Sequence, residues 1–391
     1  MVNSQEDQDT SGAQGVVAAL IAWYRTNKRQ LPWRGADAYG VWISEIMLQQ
    51  TQVATVIPYY LRFMNRFPSV EALAAAPIDD VLQHWAGLGY YARARNLHRA
   101  ANQITERFAG RMPDTLPEIL SLPGIGNYTA GAVLSIAYDR PYAAIDANVI
   151  RVISRLYGVK GDPKTGPVMA RIQELTSNLV PEPNPGEFNQ ALMELGALVC
   201  DPAEPRCDAC PLLVNCVAGN SDNPAALPEI PAGKAVTSLT HSCVILLNSK
   251  GEALLCRRPP HGLWGGLWEF PRVVCKAGEP PDEGAHRAAK EIAGIALEDL
   301  NRLRRLTTVK HTVTRYRITL HAWIAETDGQ AAWKHLNPEM QYNHSANYDS
   351  FAWVSPDSLG AYALSSPQAL VRAALAGTNL TKRHPERRST I

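Results

Sequence analysis

Four cysteines fall within one stretch of 17 residues, at Cys200, Cys207, Cys210 and Cys216. Thiolates bind soft metal centres, and four of them with a central CxxC pair can surround one centre. Zinc is an alternative, but zinc sites usually separate paired cysteines by about two to four residues, and spacings of six and five are wide for it. Four unligated cysteines are another alternative. The spacing fits a [4Fe–4S] cluster better, in a structural or a redox role.

Two carboxylates stand where they could do acid–base chemistry. Glu45 lies in the apolar run VWISEIML, so no orientation of that segment frees it from apolar neighbours. Burial raises the pKa of a carboxyl toward neutrality and makes it a usable general acid. A partly exposed helix acid is the alternative. Asp146 opens a helical segment, where it can cap the helix and still take part in chemistry.

A glycine-rich turn precedes one of the predicted helices. Gly124 and Gly126, in LPGIGNYTAG, allow a tight turn whose backbone amides can hold a phosphate oxygen at the start of a helix. A GxG turn alone is weak evidence. It gains weight here because Asp146 follows twenty residues after Gly126.

The pattern of apolar residues divides the chain of 391 residues, of which 46% are apolar and 19% charged. Helical spacing dominates residues 14–219, a Pro- and Gly-rich linker follows over 220–236, and strand-like runs with one helix fill 237–376. We therefore predict an all-α domain and an α+β domain. Residues 1–13 and the basic tail 377–391 lack apolar periodicity, which predicts disorder.

Charge and hydropathy limit the kinds of protein this can be. A net charge of +1 argues against nucleic-acid binding by bulk positive charge, so such binding needs local organisation. The sequence contains no apolar run of the length that a membrane span needs, and the polar N-terminus does not read as a signal peptide. We expect a monomeric cytoplasmic protein that does not bind membranes.

Several motifs together resemble a known family. LPGIGNYTAG followed by IDANVIRV resembles the helix-hairpin-helix DNA glycosylases, and the cysteine loop resembles that of their iron–sulfur branch. Roughly residues 20–220 resemble the A/G-specific adenine DNA glycosylases, through LPWR, SEIMLQQTQV, GLGYYARARNLH and FNQALMELGALVC. The second domain is similar to the Nudix-like domain with which this family inspects the opposite base. The resemblance implies a [4Fe–4S] cofactor on the four cysteines.

The resemblance also implies roles for single residues. Glu45 would protonate adenine and later assist water, Asp146 would stabilise the sugar cation, and Tyr128 and Asn148 match further active-site positions. Breaking an N-glycosidic bond through an oxocarbenium-like transition state needs such a donor and such a negative charge. The family resemblance implies retention of configuration. The implied partner is duplex DNA in which adenine is mispaired with 8-oxoguanine or guanine.

Tyr128 separates this family from its relatives. The bifunctional endonuclease III branch carries a lysine at this position, whose amine forms a Schiff base with the sugar. A phenol cannot form that imine, so we predict a monofunctional glycosylase. Two alternatives remain open: a bifunctional glycosylase for pyrimidine lesions and a catalytically silent protein that binds damaged DNA.

The target base must leave the duplex before either carboxylate can reach it. The resemblance implies wedge and intercalation elements at Gln50, Thr51, Leu88 and Tyr90, and an adenine pocket lined by Trp33, Arg34 and Gln190. The turn at Gly124 and Gly126 is expected to contact the DNA phosphate. A group of basic residues at helical spacing either faces phosphate or is a solvated helix face: Arg93, Arg95, His98 and Arg99.

The second domain departs from the family pattern in two places. After KHT the family usually carries Phe-Ser-His, which contacts 8-oxoguanine, whereas this chain has Val313, Thr314 and Arg315. Thr314 keeps a hydroxyl, but selectivity for 8-oxoguanine over guanine is put in doubt.

The Nudix box is also incomplete, with only Glu279, Arg287 and Glu291 matching it. Ala288 and Ile292 stand where metal-binding glutamates are needed, so we predict a binding module rather than a nucleotide hydrolase. Aromatic residues of GLWGGLWEFP are expected to pack in the core and between domains rather than to stack on bases: Trp264, Trp268 and Phe270.

Overall fold

The computed structural model of the chain describes residues 3–233, 235–260, 262, 264–295, 300–327 and 348–378. The chain forms two compact units, Met1–Ala76 with Arg95–Gly233 and Pro77–Ala94 with Lys234–Ile391. Composition did not predict that residues 77–94 belong to the second unit. One cause is a hydrogen bond within that unit, from the Gln83 side-chain amide to the Gly360 carbonyl at 3.0 Å. The predicted basic tail lies almost entirely outside the described residues.

Helices follow one another without a strand through the described residues up to Leu198, as the apolar spacing predicted. They are α1 (Asn3–Asn27), α2 (Ala38–Leu48), α3 (Val53–Arg66), α4 (Val70–Ala75), α5 (Ile78–Trp85), α6 (Ala92–Phe108), α7 (Leu116–Leu120), α8 (Asn127–Tyr138), α9 (Ala147–Tyr157), α10 (Gly166–Ser177) and α11 (Pro185–Leu198). Single turns of 3₁₀ helix follow at Cys207–Ala209, Leu213–Asn215 and Pro224–Ala226.

The core of the first unit holds the helices that carry the candidate site. Leu20 of α1, Ile153 of α9 and Phe188 of α11 are fully buried in one hydrophobic cluster. Helix α8 packs against α2 and α11. Gly196 permits the close approach of α11 to α9, because a Cβ there would lie 2.5 Å from the Cβ of Asn148. Burial of apolar side chains at about 25 cal/mol per Å² fixes these helices in place.

The first helix extends further than the sequence indicated. We expected residues 1–13 to be disordered, whereas α1 begins at Asn3. The segment contains Glu, Gln and Ala and no proline, so its intrinsic propensity allows the helix nucleated by the apolar residues beyond it to propagate backwards. No helix in the described parts of the chain is long and apolar enough to span a bilayer.

The second unit is built on one mixed sheet with helices on both faces, which confirms the predicted combination of strands and helices. Strand β1 runs parallel to β6, and the other pairs are antiparallel, in the order β3-β2-β1-β6-β5 with β4 on β1 and β7 on β2. The elements are β1 (Thr237–Leu247), β2 (Ala253–Arg257), β3 (Trp268–Glu269), β4 (Arg272–Val274), α12 (Pro281–Ala293), β5 (Leu300–Val313), β6 (Tyr316–Thr327), β7 (Ser350–Val354) and α13 (Ser366–Ala376).

Alternation along β1 explains why both faces are covered. Val244 and Leu246 pack toward α12, and Ile245 and Leu247 pack toward α13; all four are almost fully buried. A strand that is apolar on both sides must lie between two layers.

Candidate active site

Glu45 is held in an apolar interior by α2. Asp37 caps this helix by accepting a hydrogen bond from the Gly40 amide at 2.8 Å, and residues 39–47 are all buried. Glu45 itself is 5% exposed. Its Oε2 accepts a hydrogen bond from the phenol of Tyr128 on α8. The predicted burial of Glu45 is therefore confirmed, and the alternative of a partly exposed helix acid is wrong.

The surroundings of Glu45 set its protonation state. Burial raises its pKa to about 7, the Tyr128 hydrogen bond opposes that rise, and the negative charge of Asp146 adds to it. The carboxyl can therefore carry a proton near neutral pH and release it to a bound group. Burial likewise raises the pKa of Tyr128 well above 10, so its phenol stays protonated and acts as the donor.

Asp146 is the N-cap of α9, as its position in the sequence predicted. Its Oδ1 accepts from the Val149 amide at 2.8 Å and its Oδ2 from the Asn148 side chain at 2.7 Å. Burial raises the pKa of Asp146, while these hydrogen bonds and the charge of Arg151 act in the opposite direction. The carboxylate of Asp146 is thus oriented by hydrogen bonds from its own helix, and the positive charge of Arg151 lies nearby.

Both carboxylates line one cleft of about 920 Å³ in the first unit. Other residues that the sequence singled out line the same cleft: Trp33, Arg34, Gln50, Thr51, Tyr128, Asn148 and Gln190. Residues separated by more than a hundred positions are therefore brought together. A carboxyl that is protonated near pH 7 beside a fixed carboxylate can protonate a leaving group and stabilise the cation left behind.

Sequence reasoning missed a buried carboxylate in this cleft, Glu194. It accepts from the Arg29 side chain at 2.9 and 2.8 Å and lies 3.1 Å from a guanidinium nitrogen of Arg34. Burial opposes its ionisation, but the hydrogen bonds and charges of the arginines outweigh burial and lower its pKa. Arg34 in turn donates to Gln190 at 2.7 Å. The signal was an acid four residues after Gln190 in an apolar helix.

Two arginines of α9 connect the cleft to the cysteine loop. Arg151 donates to the Asn148 side chain at 2.9 Å and to the Cys200 carbonyl at 2.7 Å. Arg155, one turn further on, is 2% exposed and donates to the Cys200 sulfur at 3.3 Å and the Asp201 carbonyl at 2.6 Å. The loop is therefore fixed to the same helix whose N-terminus carries Asp146.

The four cysteines of the loop form no disulfide with one another and line one small pocket with Arg155. The Gly219 amide donates to the Cys216 sulfur at 3.3 Å, as Arg155 does to that of Cys200. Sulfurs that converge on one space and receive N–H donors fit a group that takes thiolate ligands.

The predicted intercalation residues have different settings. Gln50, exposed and with φ 55°, and Thr51 follow α2 at the cleft. Leu88 and Tyr90 lie in the segment assigned to the second unit and do not line the cleft. Leu88 is buried, whereas Tyr90 is 45% exposed with φ 48°, and the Arg93 guanidinium lies over its ring.

The two glycines of the predicted phosphate-binding turn have different surroundings. Gly124 has φ 79°, and a Cβ there would lie 2.7 Å from the Cβ of Asn96, so packing and backbone both require glycine. Gly126 is the N-cap of α8, and no heavy atom lies within 4 Å of the position that a Cβ would take there.

Of the four basic residues, two are engaged by their own surroundings. Arg93 stacks on Trp85 and Tyr90, and His98 bonds to the Ala76 carbonyl at 2.9 Å. Arg99 is exposed and donates to Asn96 at 2.7 Å, and burial lowers the pKa of the half-buried Arg95. A uniformly solvated helix face is therefore wrong for Arg93 and His98, and the phosphate-facing alternative stays a prediction.

In the second unit, Thr314 and Arg315 form the exposed two-residue turn between β5 and β6. Thr314 has φ 51° and its hydroxyl donates to the Val313 carbonyl at 2.7 Å. Ala288 and Ile292 are buried in the core under α12, consistent with the missing metal ligands.

The three aromatic residues of GLWGGLWEFP differ in their packing. Phe270 is fully buried in the core and Trp268 packs edge-on against Tyr362. Trp264 departs from the expectation of core packing, because its ring lines an open cleft.

Two family models match this chain, one over the helical unit and one over the sheet-containing unit. Residues 43–178 match the model of the HhH-GPD superfamily base excision DNA repair proteins, and residues 242–374 match that of the NUDIX domain. The all-helical unit with its hairpin, its two carboxylates and its cysteine loop is thus a DNA glycosylase fold.

Curated relatives narrow the class further. The adenine DNA glycosylase of Mus musculus is 38% identical to this chain, and the match covers 69% of this chain and 62% of the mouse protein. That of Homo sapiens is 35% identical, and the match covers 80% of this chain and 67% of the human protein. That of Buchnera aphidicola subsp. Schizaphis graminum is 36% identical and covers 66% of this chain and 74% of its own. The chain thus spans less than two thirds of the mouse relative. It belongs to the adenine DNA glycosylase family.

Proposed function

We propose that this chain removes adenine mispaired with 8-oxoguanine or guanine in duplex DNA by hydrolysing its N-glycosidic bond. The observation that carries the proposal is the pairing, in one cleft, of Glu45, whose pKa is raised to about 7, with the oriented carboxylate of Asp146. The names of the family's curated members support adenine as the base.

The reaction needs three events that these residues can perform. The extruded base enters the cleft beside Trp33, Arg34 and Gln190. Glu45 then gives its proton to the departing adenine while the C1′–N bond breaks and Asp146 stabilises the positive sugar. The ionised Glu45 takes a proton from water, whose oxygen bonds to C1′, and the acid is regenerated.

We propose that the enzyme leaves an abasic site without cutting the strand. A lyase needs an amine that bonds covalently to the sugar. Tyr128 offers a phenol whose hydrogen bond is committed to Glu45. No lysine is among the described residues that line the cleft. This arrangement supports hydrolysis over the bifunctional alternative.

The opposite base is assigned to the second unit. The exposed β5–β6 turn presents Thr314, whose hydroxyl could exchange its bond to the Val313 carbonyl for one to a base. Because Val313 and Arg315 differ from the usual loop, we expect weaker preference for 8-oxoguanine over guanine than the family pattern would give.

The four cysteines are proposed to hold a [4Fe–4S] cluster as a structural clip. Arg155 would remain against the loop through its bonds to the Cys200 sulfur and the Asp201 carbonyl. Because Arg151 also donates to the Cys200 carbonyl of this loop, the bound cluster would help to hold the N-terminus of α9, and with it Asp146, in position.

Single-turnover assays on duplexes with adenine opposite 8-oxoguanine, guanine or thymine, with and without alkali, test this function. We expect adenine release opposite the first two bases and strand breaks only after alkali. Efficient nicking without alkali would support a lyase instead, and binding without release would support the silent DNA-damage binder.

A further inference from the structure

The segment between α1 and α2 carries two cleft residues but forms neither helix nor strand. Residues 28–37 connect the two helices, and Trp33 and Arg34 within them line the cleft of the first unit. A loop lacks the regular backbone hydrogen bonds of a helix, so its side chains hold a fixed position only where neighbouring elements bind it. The contacts that fix this loop therefore determine the shape of the proposed adenine pocket.

Glu194 of α11 binds this loop at two positions. The residue is 3% exposed. Its Oε1 accepts from the backbone amide of Arg29 at 2.8 Å and from the Nε of Arg29 at 2.9 Å. Its Oε2 accepts from Nη2 of Arg29 at 2.8 Å and lies 3.1 Å from Nη2 of Arg34. One buried carboxylate thus joins both arginines of the loop to α11.

Arg34 has further contacts that fix its guanidinium. Its Nε donates to the Arg29 carbonyl at 2.9 Å, and its Nη1 donates to Gln190 Oε1 at 2.7 Å and to the Tyr24 hydroxyl. A guanidinium carries five N–H groups in one plane. With the contact to Glu194, four of the five are engaged, and the fifth, on Nη2, has no partner among the described residues. Arg34 can therefore donate to a ligand in the cleft without giving up a bond that fixes it.

The charges explain why a carboxylate is needed at position 194. Arg29 and Arg34 are two cations that approach one anion, and their side chains are only 35% and 16% exposed. Removing one partner of a buried ion pair leaves the other charge uncompensated. Without the negative charge, the two guanidinium groups would repel each other, and Arg34 would move away from Gln190.

A second acid–arginine pair on the same helix provides a comparison. Glu187 of α11 pairs with Arg25 of α1 at 2.8 Å, and the Arg25 side chain is 61% exposed. Neither residue is among the described residues that line the cleft. Exposed ion pairs contribute little, because water solvates both partners when they separate. The two pairs therefore differ in burial and in their connection to the cleft.

We propose that Glu194 is a positioning residue for the target base: it holds the Arg34 guanidinium against Gln190, so that the pocket receives the extruded adenine with a donor already in place. Both oxygens of Glu194 are committed to arginines, so it acts through Arg34 and not on the base itself. A donor that is already ordered binds its acceptor at a lower entropic cost. This inference rests on the proposed excision of adenine, because it concerns the pocket that receives the base.

Binding of two duplexes that cannot react separates positioning from a purely structural role. One carries 2′-fluoro-2′-deoxyadenosine opposite 8-oxoguanine, and its fluorine prevents excision by destabilising the sugar cation. The other carries an abasic tetrahydrofuran at the same place and offers no base to the pocket. Glu194→Gln should bind the fluorinated duplex about tenfold more weakly, the effect of one charge-assisted hydrogen bond, and the abasic duplex equally well. Glu187→Gln should bind both as the unaltered chain does.

Two further variants test the route through Arg34. Glu194→Asp keeps the charge on a shorter side chain and should recover part of the lost affinity. Arg34→Met removes the donor, and adding Glu194→Gln to it should weaken binding of the fluorinated duplex by no more than about twofold, because the residue through which Glu194 acts is already gone. Equal weakening on both duplexes, independent losses in the double variant, or unchanged binding by Glu194→Gln would overturn the inference.

Adenine release by the unaltered chain is measured in parallel on a cleavable duplex. Its absence would overturn the proposed function and this inference together. Release accompanied by any of the three contrary binding results would overturn the role of Glu194 alone and leave the proposed function standing.

Discussion

The phenol of Tyr128 donates a hydrogen bond to Oε2 of Glu45, joining α8 to α2 at the cleft. The two residues influence each other in opposite senses. Burial raises the pKa of Glu45 to about 7, and the bond from Tyr128 keeps it from rising further, because it stabilises the ionised form. Tyr128 therefore adjusts the pH at which Glu45 loses its proton.

Changing Tyr128 to Phe should move the pH profile of adenine excision upward. The ring is kept, but the bond that lowers the pKa of Glu45 is lost, so Glu45 should stay protonated to higher pH. The single-turnover rate falls on the alkaline side with a midpoint near pH 7 in the unaltered enzyme, and we expect this midpoint to rise by at least about half a pH unit in the variant. Tyr138→Phe, which removes a bond to the Met112 carbonyl, is the matched control. An unmoved or lowered midpoint would contradict the role of Tyr128.

Changing Glu45 to Gln should abolish excision while leaving DNA binding intact. The amide has nearly the same shape and can accept from Tyr128, but it has no proton to give. General acid catalysis contributes roughly a hundredfold to ten-thousandfold, so the rate should fall by at least that range. Glu174→Gln, at an exposed acid of α10, serves as control. Mismatch affinity is measured in parallel, and a rate within tenfold of the unaltered enzyme would disprove the assignment.

The same substitution should stabilise the fold above pH 7. Because the pKa of Glu45 is raised on folding, the folded state gives up stability as pH rises from about 4.5 to about 7. A shift of this size corresponds to on the order of 3 kcal/mol. Glu45→Gln should thus melt higher than the unaltered chain at pH 8 and equally at pH 4. Calorimetric Tm values at both pH values provide the test, and the same difference at each would count against it.

Much of the site could be predicted from the sequence, since its residues lie in strongly patterned helices. The apolar neighbours of Glu45 predicted its burial, and the helix start at Asp146 predicted its cap. Glu194 was missed because a single acid in a helix is ordinarily expected to face solvent, even where the rest of the helix is apolar. Only the fold shows that Arg29 and Arg34 approach it from another segment.

The second unit was harder to predict at its edge. Strand β5 was missed because Arg304, Arg305 and Lys310 interrupt its apolar residues. The strand lies at one end of the sheet order, and these three side chains are exposed, as charges on edge strands commonly are. Pairing with β6 alone determines its register, and sequence pattern does not reveal that pairing.

Changing Asp146 to Asn should separate the capping role from the chemical role. Asparagine caps helices about as well as aspartate, so the bond from the Val149 amide and the stability should be retained within about 1 kcal/mol. The negative charge beside the sugar is lost, and excision should fall at least a hundredfold. Denaturant unfolding and single-turnover rates measure the two roles. An unchanged rate would show that Asp146 acts only as a cap, and a large loss of stability would contradict the expectation that asparagine replaces it in that role.

Changing Arg155 to Leu should release the cysteine loop. This buried side chain donates to the Cys200 sulfur and to the carbonyls of Asp201, Pro202 and Leu227. Leucine fills part of the space but leaves these acceptors without donors, at a cost of about 1–3 kcal/mol for each buried group left unsatisfied. We expect purified protein with less iron per chain and a lower free energy of unfolding.

Two companion variants make the Arg155 prediction specific. Arg155→Lys keeps the charge, but its single ammonium cannot reach all four acceptors, so its iron content should be intermediate. Arg140→Leu removes an exposed arginine paired with Asp114 and should retain full iron. Iron is measured per chain by colorimetry after identical purification. Full iron and unchanged stability in Arg155→Leu would mean that the loop holds its shape without α9, and the proposed link between the clip and Asp146 would fail.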